Sequence, residues 1–271
     1  MPYAPIEEGT LYYEEYGSGP PLLLVSGLGG TSAYWRPQLE AYSKRYRVIL
    51  HDHRGCGRST RSEISYSVDQ MSRDVLALMD HLRLERVHLL GHSTGGAIGQ
   101  TIAVTAPERL RSLVLYASWG RTDEFFRRAM ESRKALLERS GPEAFIRATP
   151  LFLFPPWWIH RFPERVAALD QVSREGFSGV AITASRCQAI IDFDRLAELG
   201  RIQAPTLVLC AQDDFLTPLY LSEELARHIP GARLVALARG AHAASQVEPE
   251  PFDQAVLGFL EEAEARYQET S

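Results

Sequence analysis

Six short apolar runs, each followed by a stretch of helical spacing, limit what this chain can fold into. They are LLLVSG (22–27), YRVILHD (46–52), RVHLLG (86–91), LRSLVLYAS (110–118), APTLVLCA (204–211) and ARLVAL (232–237), mostly continuous in hydrophobicity. A strand buried on one face alternates apolar and polar residues, whereas one covered on both faces does not. These runs therefore predict parallel strands with helices packed above and below. The clearest helix is SVDQMSRDVLALMDHLRL, which keeps Val68, Met71, Val75, Met79 and Leu82 on one face. Ser67, with Gln70 three residues on, has the spacing of a capping box at its start. The last helix aligns Phe252, Val256, Phe259 or Leu260, Ala263 and Tyr267. Such alternation predicts an α/β fold, with a mostly parallel central sheet and right-handed crossovers.

The alternation stops between Gly120 and Leu199, where the sequence reads as successive helices without a strand. The expected organisation is a core of residues 1–119 and 200–271, with residues 120–199 inserted as a helical cap. At 271 residues and 45% hydrophobic content, the chain can bury a core of that size.

A formal net charge of −5 and the lack of a basic stripe argue against nucleic-acid binding. Apolar runs such as Leu22 to Val25 are too short to span a bilayer, and MPYAPIEEGT has no secretory-leader pattern. Cys56, Cys187 and Cys210 are an odd, sparse set that predicts free thiols and a cytosolic setting. His51 and His53 flank Asp52 in HDHRG, but two histidines without a further nearby ligand predict loop structure and no metal.

Chemistry enters at GHSTGG, residues 91–96. By composition, Gly-x-Ser-x-Gly arises by chance in roughly one chain in ten of this length, so its surroundings must carry the argument. It follows a strand run directly and opens the helical run AIGQTIAVTA, the context of a sharp turn that exposes a nucleophilic serine, Ser93. The alternative, a phosphate-binding turn, would need GxGxxG spacing or a Gly-Lys-Ser/Thr, and both are missing.

A serine hydroxyl needs a base, and the base needs an acid to orient it. AQDDFLTP follows one strand and RGAHAAS the next, giving the chain order Ser93, Asp214, His242. Asp214 is preferred to Asp213 because it stands four residues before Pro218; Asp213 is expected to be an exposed neighbour or a helix cap. Acyl transfer also needs donors for a developing oxyanion. The backbone N–H groups of Thr94 and of Leu28, in the loop SGLGGTSAYW, are the candidates.

Together these motifs resemble the α/β-hydrolase superfamily over nearly the whole chain. HDHRGCGRS looks like its Asp-x-Arg-Gly-x-Gly-x-Ser loop, GHSTGG its elbow, AQDDFLTP its acid loop and RGAHAAS its histidine loop. Within it, VSGLGGTSAYWRPQL and TPLFLFPPWWI look most like the aminoacrylate hydrolases of pyrimidine utilisation. The enol-lactonases of aromatic-acid catabolism are the nearest rival. Two departures stand out: the position matching Ser93 is not always serine in the former group, and Ser26 stands where many hydrolases carry histidine.

The resemblance implies a cofactor-free serine hydrolase acting on a small carbonyl compound: an ester, lactone, amide, carbamate or aminoacrylate-type acid. Cofactor-free haloperoxidase or perhydrolase chemistry, and carbon–carbon hydrolysis of dienone acids, share the triad. A hydrolase-fold binding protein would be expected to have lost a triad member. Trp35, Trp119, Phe152, Phe154, Trp157 and Trp158 are the expected pocket aromatics, with ordinary packing the competing role for each. Residues 121–150 carry seven basic and five acidic side chains, the balance expected of a solvated helix face, with steering of a carboxylate substrate as the alternative role. Oligomeric state stays open between monomer and homodimer.

Overall fold

All six expected strands lie in one eight-stranded sheet. In chain order the strands are β1 (Tyr3–Ile6), β2 (Gly9–Tyr16), β3 (Pro21–Val25), β4 (Arg47–His51), β5 (Val87–His92), β6 (Leu110–Tyr116), β7 (Thr206–Ala211) and β8 (Arg233–Leu237). The computed structural model describes residues 2–270. Spatial order is β1-β2-β4-β3-β5-β6-β7-β8. From β4 to β8 every pairing is parallel, while β1 with β2 and β2 with β4 are antiparallel.

The continuous apolar runs are explained by burial on both faces. In β3, Leu23 and Val25 belong to the core that runs under α2 (Val68–His81), α3 (Thr94–Thr105) and, farther along the sheet, α8 (Leu219–His228). Leu22 and Leu24 point the other way, into a core with Tyr42 of α1 (Leu39–Tyr42) and Phe252, Val256 and Leu260 of α10 (Pro249–Thr270). Ser67 caps α2 as expected, its hydroxyl accepting from the Gln70 N–H at 3.1 Å. The return half of the box is not made. The Gln70 side chain instead donates to Asp74.

Between β6 and β7 lie four helices: α4 (Glu124–Leu153), α5 (Pro156–Arg161), α6 (Pro163–Glu175) and α7 (Val180–Ile191). α4 is bent at Gly141, whose φ of 84° breaks the helical backbone just before Pro142. The insert is tied at its neck by Arg195 N–H to the Gly120 carbonyl (2.8 Å) and Thr122 N–H to the Phe193 carbonyl (3.2 Å). It packs onto the core at two loops. Leu137, Phe145 and Ala184 meet Leu28, and Phe154 and Trp158 meet Ala243. Those loops follow β3 and β8, so the insert lies against the carboxyl ends of the parallel strands, where open α/β sheets place their sites.

Two of the expectations from sequence need amending. The sheet has two more strands, β1 and β2, than the apolar runs indicate. Asp213 is exposed as expected but caps no helix: Pro218 occupies the N-terminal position of α8, and Asp213 accepts from the Ala241 N–H at 2.8 Å. All three cysteines are free and buried. Among the described residues no helix is long and apolar enough to cross a membrane.

Candidate active site

Ser93 sits at the end of β5 with φ 55° and ψ −117°, a backbone conformation that costs on the order of 1–3 kcal/mol for a non-glycine residue. It is held there from both sides. Its N–H donates to the Tyr116 carbonyl of β6 at 2.8 Å, and its carbonyl accepts from Gly96 N–H (2.8 Å) and the Ser118 hydroxyl (3.0 Å). The turn also brings the start of α3 against β3. A Cβ on Gly95 would lie 2.1 Å from the Val25 carbonyl oxygen, so no side chain fits. This is a strand, a strained turn and a helix, the local geometry of a nucleophile elbow.

Asp214 follows β7 and is buried, yet each carboxylate oxygen is engaged. Oδ1 accepts from the N–H groups of Leu216 (2.8 Å) and Thr217 (3.0 Å); Oδ2 accepts from the Thr217 hydroxyl (2.7 Å). His242 Nδ1 lies 2.9 Å from the same Oδ2. A carboxylate accepts only, so Nδ1 carries a proton, and in the neutral tautomer the lone pair is on Nε2.

The backbone of His242 is fixed as firmly. Its carbonyl accepts from His92 Nε2–H (3.0 Å) and from the Tyr116 hydroxyl (2.9 Å). His92, the residue before Ser93, has its ring between Tyr34 and Tyr116, each centroid 4.6 Å away, and 4.9 Å from the His242 ring. Burial, with the neighbouring His242 second, holds His92 well below the usual histidine range, so it is a neutral donor. The elbow and the histidine loop are thereby coupled directly.

On the other side of Ser93 lies the loop after β3. A Cβ on Gly27 would be 3.1 Å from the Ser93 Cβ. Gly30 N–H closes a turn onto the Gly27 carbonyl at 3.0 Å, with Gly29 at φ 70°, the backbone of a type II turn. Leu28 occupies its second position, so its N–H is outside that bond. The N–H of Thr94 belongs to the first turn of α3, whose donors have no partner within the helix.

His53 lies in the loop after β4, as expected, whereas His51 is the last residue of β4 itself, paired with Tyr13 of β2. His53 Nε2 lies 2.8 Å from the Ser26 carbonyl, and its backbone N–H donates to the Gly30 carbonyl, so it braces the loop after β3. Burial lowers both, His51 to about 4. Among the described residues no group of three or more His, Cys, Asp or Glu side chains could hold a metal ion.

The six aromatics separate by position. Phe154 and Trp158 stack (4.4 Å) against Ala243 beside His242. Phe152 lies 6.4 Å from Phe215, the neighbour of Asp214. Trp35 packs in the core with Tyr42, Tyr116 and Phe252, its ring edge-on to His92. Trp119 is buried between Phe126 and Phe193. Trp157 is partly exposed beneath Arg239. Sequence reasoning missed Thr217 and Tyr116. Thr217 could have been read from the FLTP turn; Tyr116 had no local signal, since its partner is 126 residues away.

Comparisons with known proteins identify the fold and the family. The profile of the alpha/beta hydrolase fold family matches residues 20–249. A candidate carbamate hydrolase, RutD, of Azorhizobium caulinodans is 44% identical over 97% of this chain and 99% of its own length. The candidate carbamate hydrolase RutD of Caulobacter sp. is 40% identical over 94% of this chain and 98% of its own. Among solved structures, the enol-lactonase from Burkholderia xenovorans superposes with a TM-score of 0.89 at 29% identity, covering 96% of this chain and 99% of that one. A hydrolase from Pseudomonas aeruginosa gives 0.86 at 32%, covering 93% and 94%.

Proposed function

The chain is a hydrolase of the alpha/beta hydrolase fold family, and on that premise we propose that it works through an acyl-enzyme on Ser93. The observation that carries the proposal is the Asp214–His242 pair at 2.9 Å, anchored to the residue that precedes Ser93. His242 Nε2 takes the hydroxyl proton as Ser93 Oγ attacks a carbonyl carbon. The resulting oxyanion is received by the N–H groups of Leu28 and Thr94. On collapse, His242 returns the proton to the leaving group, then activates a water that releases the acid. Asp214 stays ionised throughout, stabilising the imidazolium.

The names of the relatives point to carbonyl compounds, a carbamate for the RutD proteins and an enol-lactone for the structural neighbour. Both suit the same machinery. The substrate proposed here is therefore a small metabolite with a hydrolysable carbonyl, with Phe152, Phe154 and Trp158 lining the acyl site.

Stopped-flow hydrolysis of p-nitrophenyl acetate tests the mechanism. The wild type is expected to give a burst of one p-nitrophenolate per chain followed by turnover, with the acetyl group found on Ser93 by intact mass. Ser93→Ala should lower turnover by about 10³-fold or more. Equal rates in both proteins would refute the acyl-enzyme and leave His242 to act on water directly.

A further inference from the structure

Two guanidinium groups are buried in this protein without an acidic partner among the described residues, and one of them lies over the proposed site. Arg133, on the first half of α4, is only 5% exposed. No ion pair involves it, and its Nε is buried without a hydrogen-bond partner. Arg54 shows what this fold does with a buried structural arginine: it binds both oxygens of Asp74, at 2.7 and 2.9 Å. Burying an unpaired charge is costly, and an anion from solution that met this guanidinium would offset the cost.

The neighbours of Arg133 say where that anion would lie. Its guanidinium carbon is 5.4 Å from the centre of Phe145 and 5.0 Å from that of Phe152. Phe145 belongs to the cluster packed on Leu28, in the proposed oxyanion loop. Phe152 reaches Phe215, next to Asp214. The guanidinium thus lies beside two rings of the insert, one packed with the loop that carries Leu28 and the other near the loop that carries Asp214. Aromatic rings offer its N–H groups no acceptor oxygen, which leaves them for a planar, bidentate carboxylate. The second unpaired group, Arg186, is directed elsewhere. Its Nη1 donates to the Arg54 carbonyl at 3.0 Å and its guanidinium lies against Tyr66.

We propose that Arg133 is a specificity-determining residue that binds a carboxylate on the substrate. Resting on the hydrolase reading above, this narrows the substrate class to small anionic acids whose scissile carbonyl lies a few bonds from a free carboxylate. The insert then selects for charge, and the core performs acyl transfer.

The test compares p-nitrophenyl hemisuccinate with its neutral counterpart p-nitrophenyl butyrate in wild type, Arg133→Met, Arg133→Lys and Arg186→Met. Arg133→Met is expected to raise KM for the hemisuccinate about 10- to 100-fold, the loss of one charged hydrogen-bonding pair. Its kcat/KM for the butyrate should stay within about twofold, which also reports that the variant is folded, and Arg133→Lys should recover part of the loss. Equal losses on both esters, or a selective loss in Arg186→Met instead, would overturn the assignment. Calorimetric binding of succinate and succinamide to Ser93→Ala separates this from the mechanism, because it needs no turnover. Succinate binding in preference to succinamide supports the carboxylate site even if the acyl-enzyme fails; equal binding removes it even if the acyl-enzyme stands.

Discussion

His92 donates its Nε2 proton to the backbone carbonyl of His242 at 3.0 Å, so the residue before the proposed nucleophile positions the proposed base. Tyr116 supplies the second donor at 2.9 Å, and its hydroxyl in turn accepts from the Ser245 N–H at 3.0 Å. These groups touch no reacting atom; they fix the loop from which His242 projects. Tyr34 extends the same arrangement, its hydroxyl lying 3.0 Å from the Ser245 hydroxyl while its ring stacks on His92.

His92→Phe keeps the stacked ring and removes the donor. It is expected to lower kcat on p-nitrophenyl acetate about tenfold with KM little changed, since a misplaced base affects the chemical step before binding. Steady-state kinetics decide it. A raised KM with intact kcat would assign His92 to the substrate pocket instead.

Ser93 carries backbone strain that glycine would not. Ser93→Gly should therefore be more stable to urea than Ser93→Ala, by about 1 kcal/mol, although both lack the hydroxyl and both should be inactive. Strain at φ 55° is shared by serine and alanine, so the comparison isolates it from chemistry. Identical unfolding midpoints would mean that the elbow stores no strain.

Four buried histidines, His51, His53, His88 and His92, should make the protein acid-sensitive, because burial lowers the pKa of each. Burial holds His51 at about 4, and His53 and His92 well below the ordinary 6.5. A base whose folded pKa is depressed leaves the native state with fewer protons than the unfolded chain. Stability is then full above about pH 6.5 and is lost as pH falls toward 4. His51 alone accounts for about 3 kcal/mol over that range. Asp253, pushed up to about 6 by burial, opposes them, gaining stability as pH falls, but it is one group against four. Urea unfolding at pH 4.5, 5.5, 6.5 and 7.5 should show a falling midpoint below 6.5, less steep in His51→Gln. A flat profile would contradict neutral burial of these rings.

Much of the candidate site was legible because each of its parts is a local pattern. Ser93, Asp214 and His242 each follow an apolar run within a few residues, and a side chain just beyond a parallel strand must emerge at the same edge of the sheet. The helices of the insert were legible for a similar reason, since Gly141, Pro156 and Pro163 punctuate them at or near their actual boundaries. The edge hairpin was not. In β2 only Leu11 is fully buried, so the strand lacks the continuous apolar character that marked the others.

The sequence by itself determined the alternation of strand and helix, the long helical interruption, and the chain order of the proposed nucleophile, acid and base, because hydrophobic periodicity and turn residues act over a few positions. The tertiary structure alone decided that Asp213 supports the histidine loop, that Tyr116 and His92 converge on the His242 carbonyl, and that Trp35 belongs to the core. It also singled out Arg133 among the seven basic residues of its stretch, because whether a charge is solvated or buried without a partner depends on what packs against it.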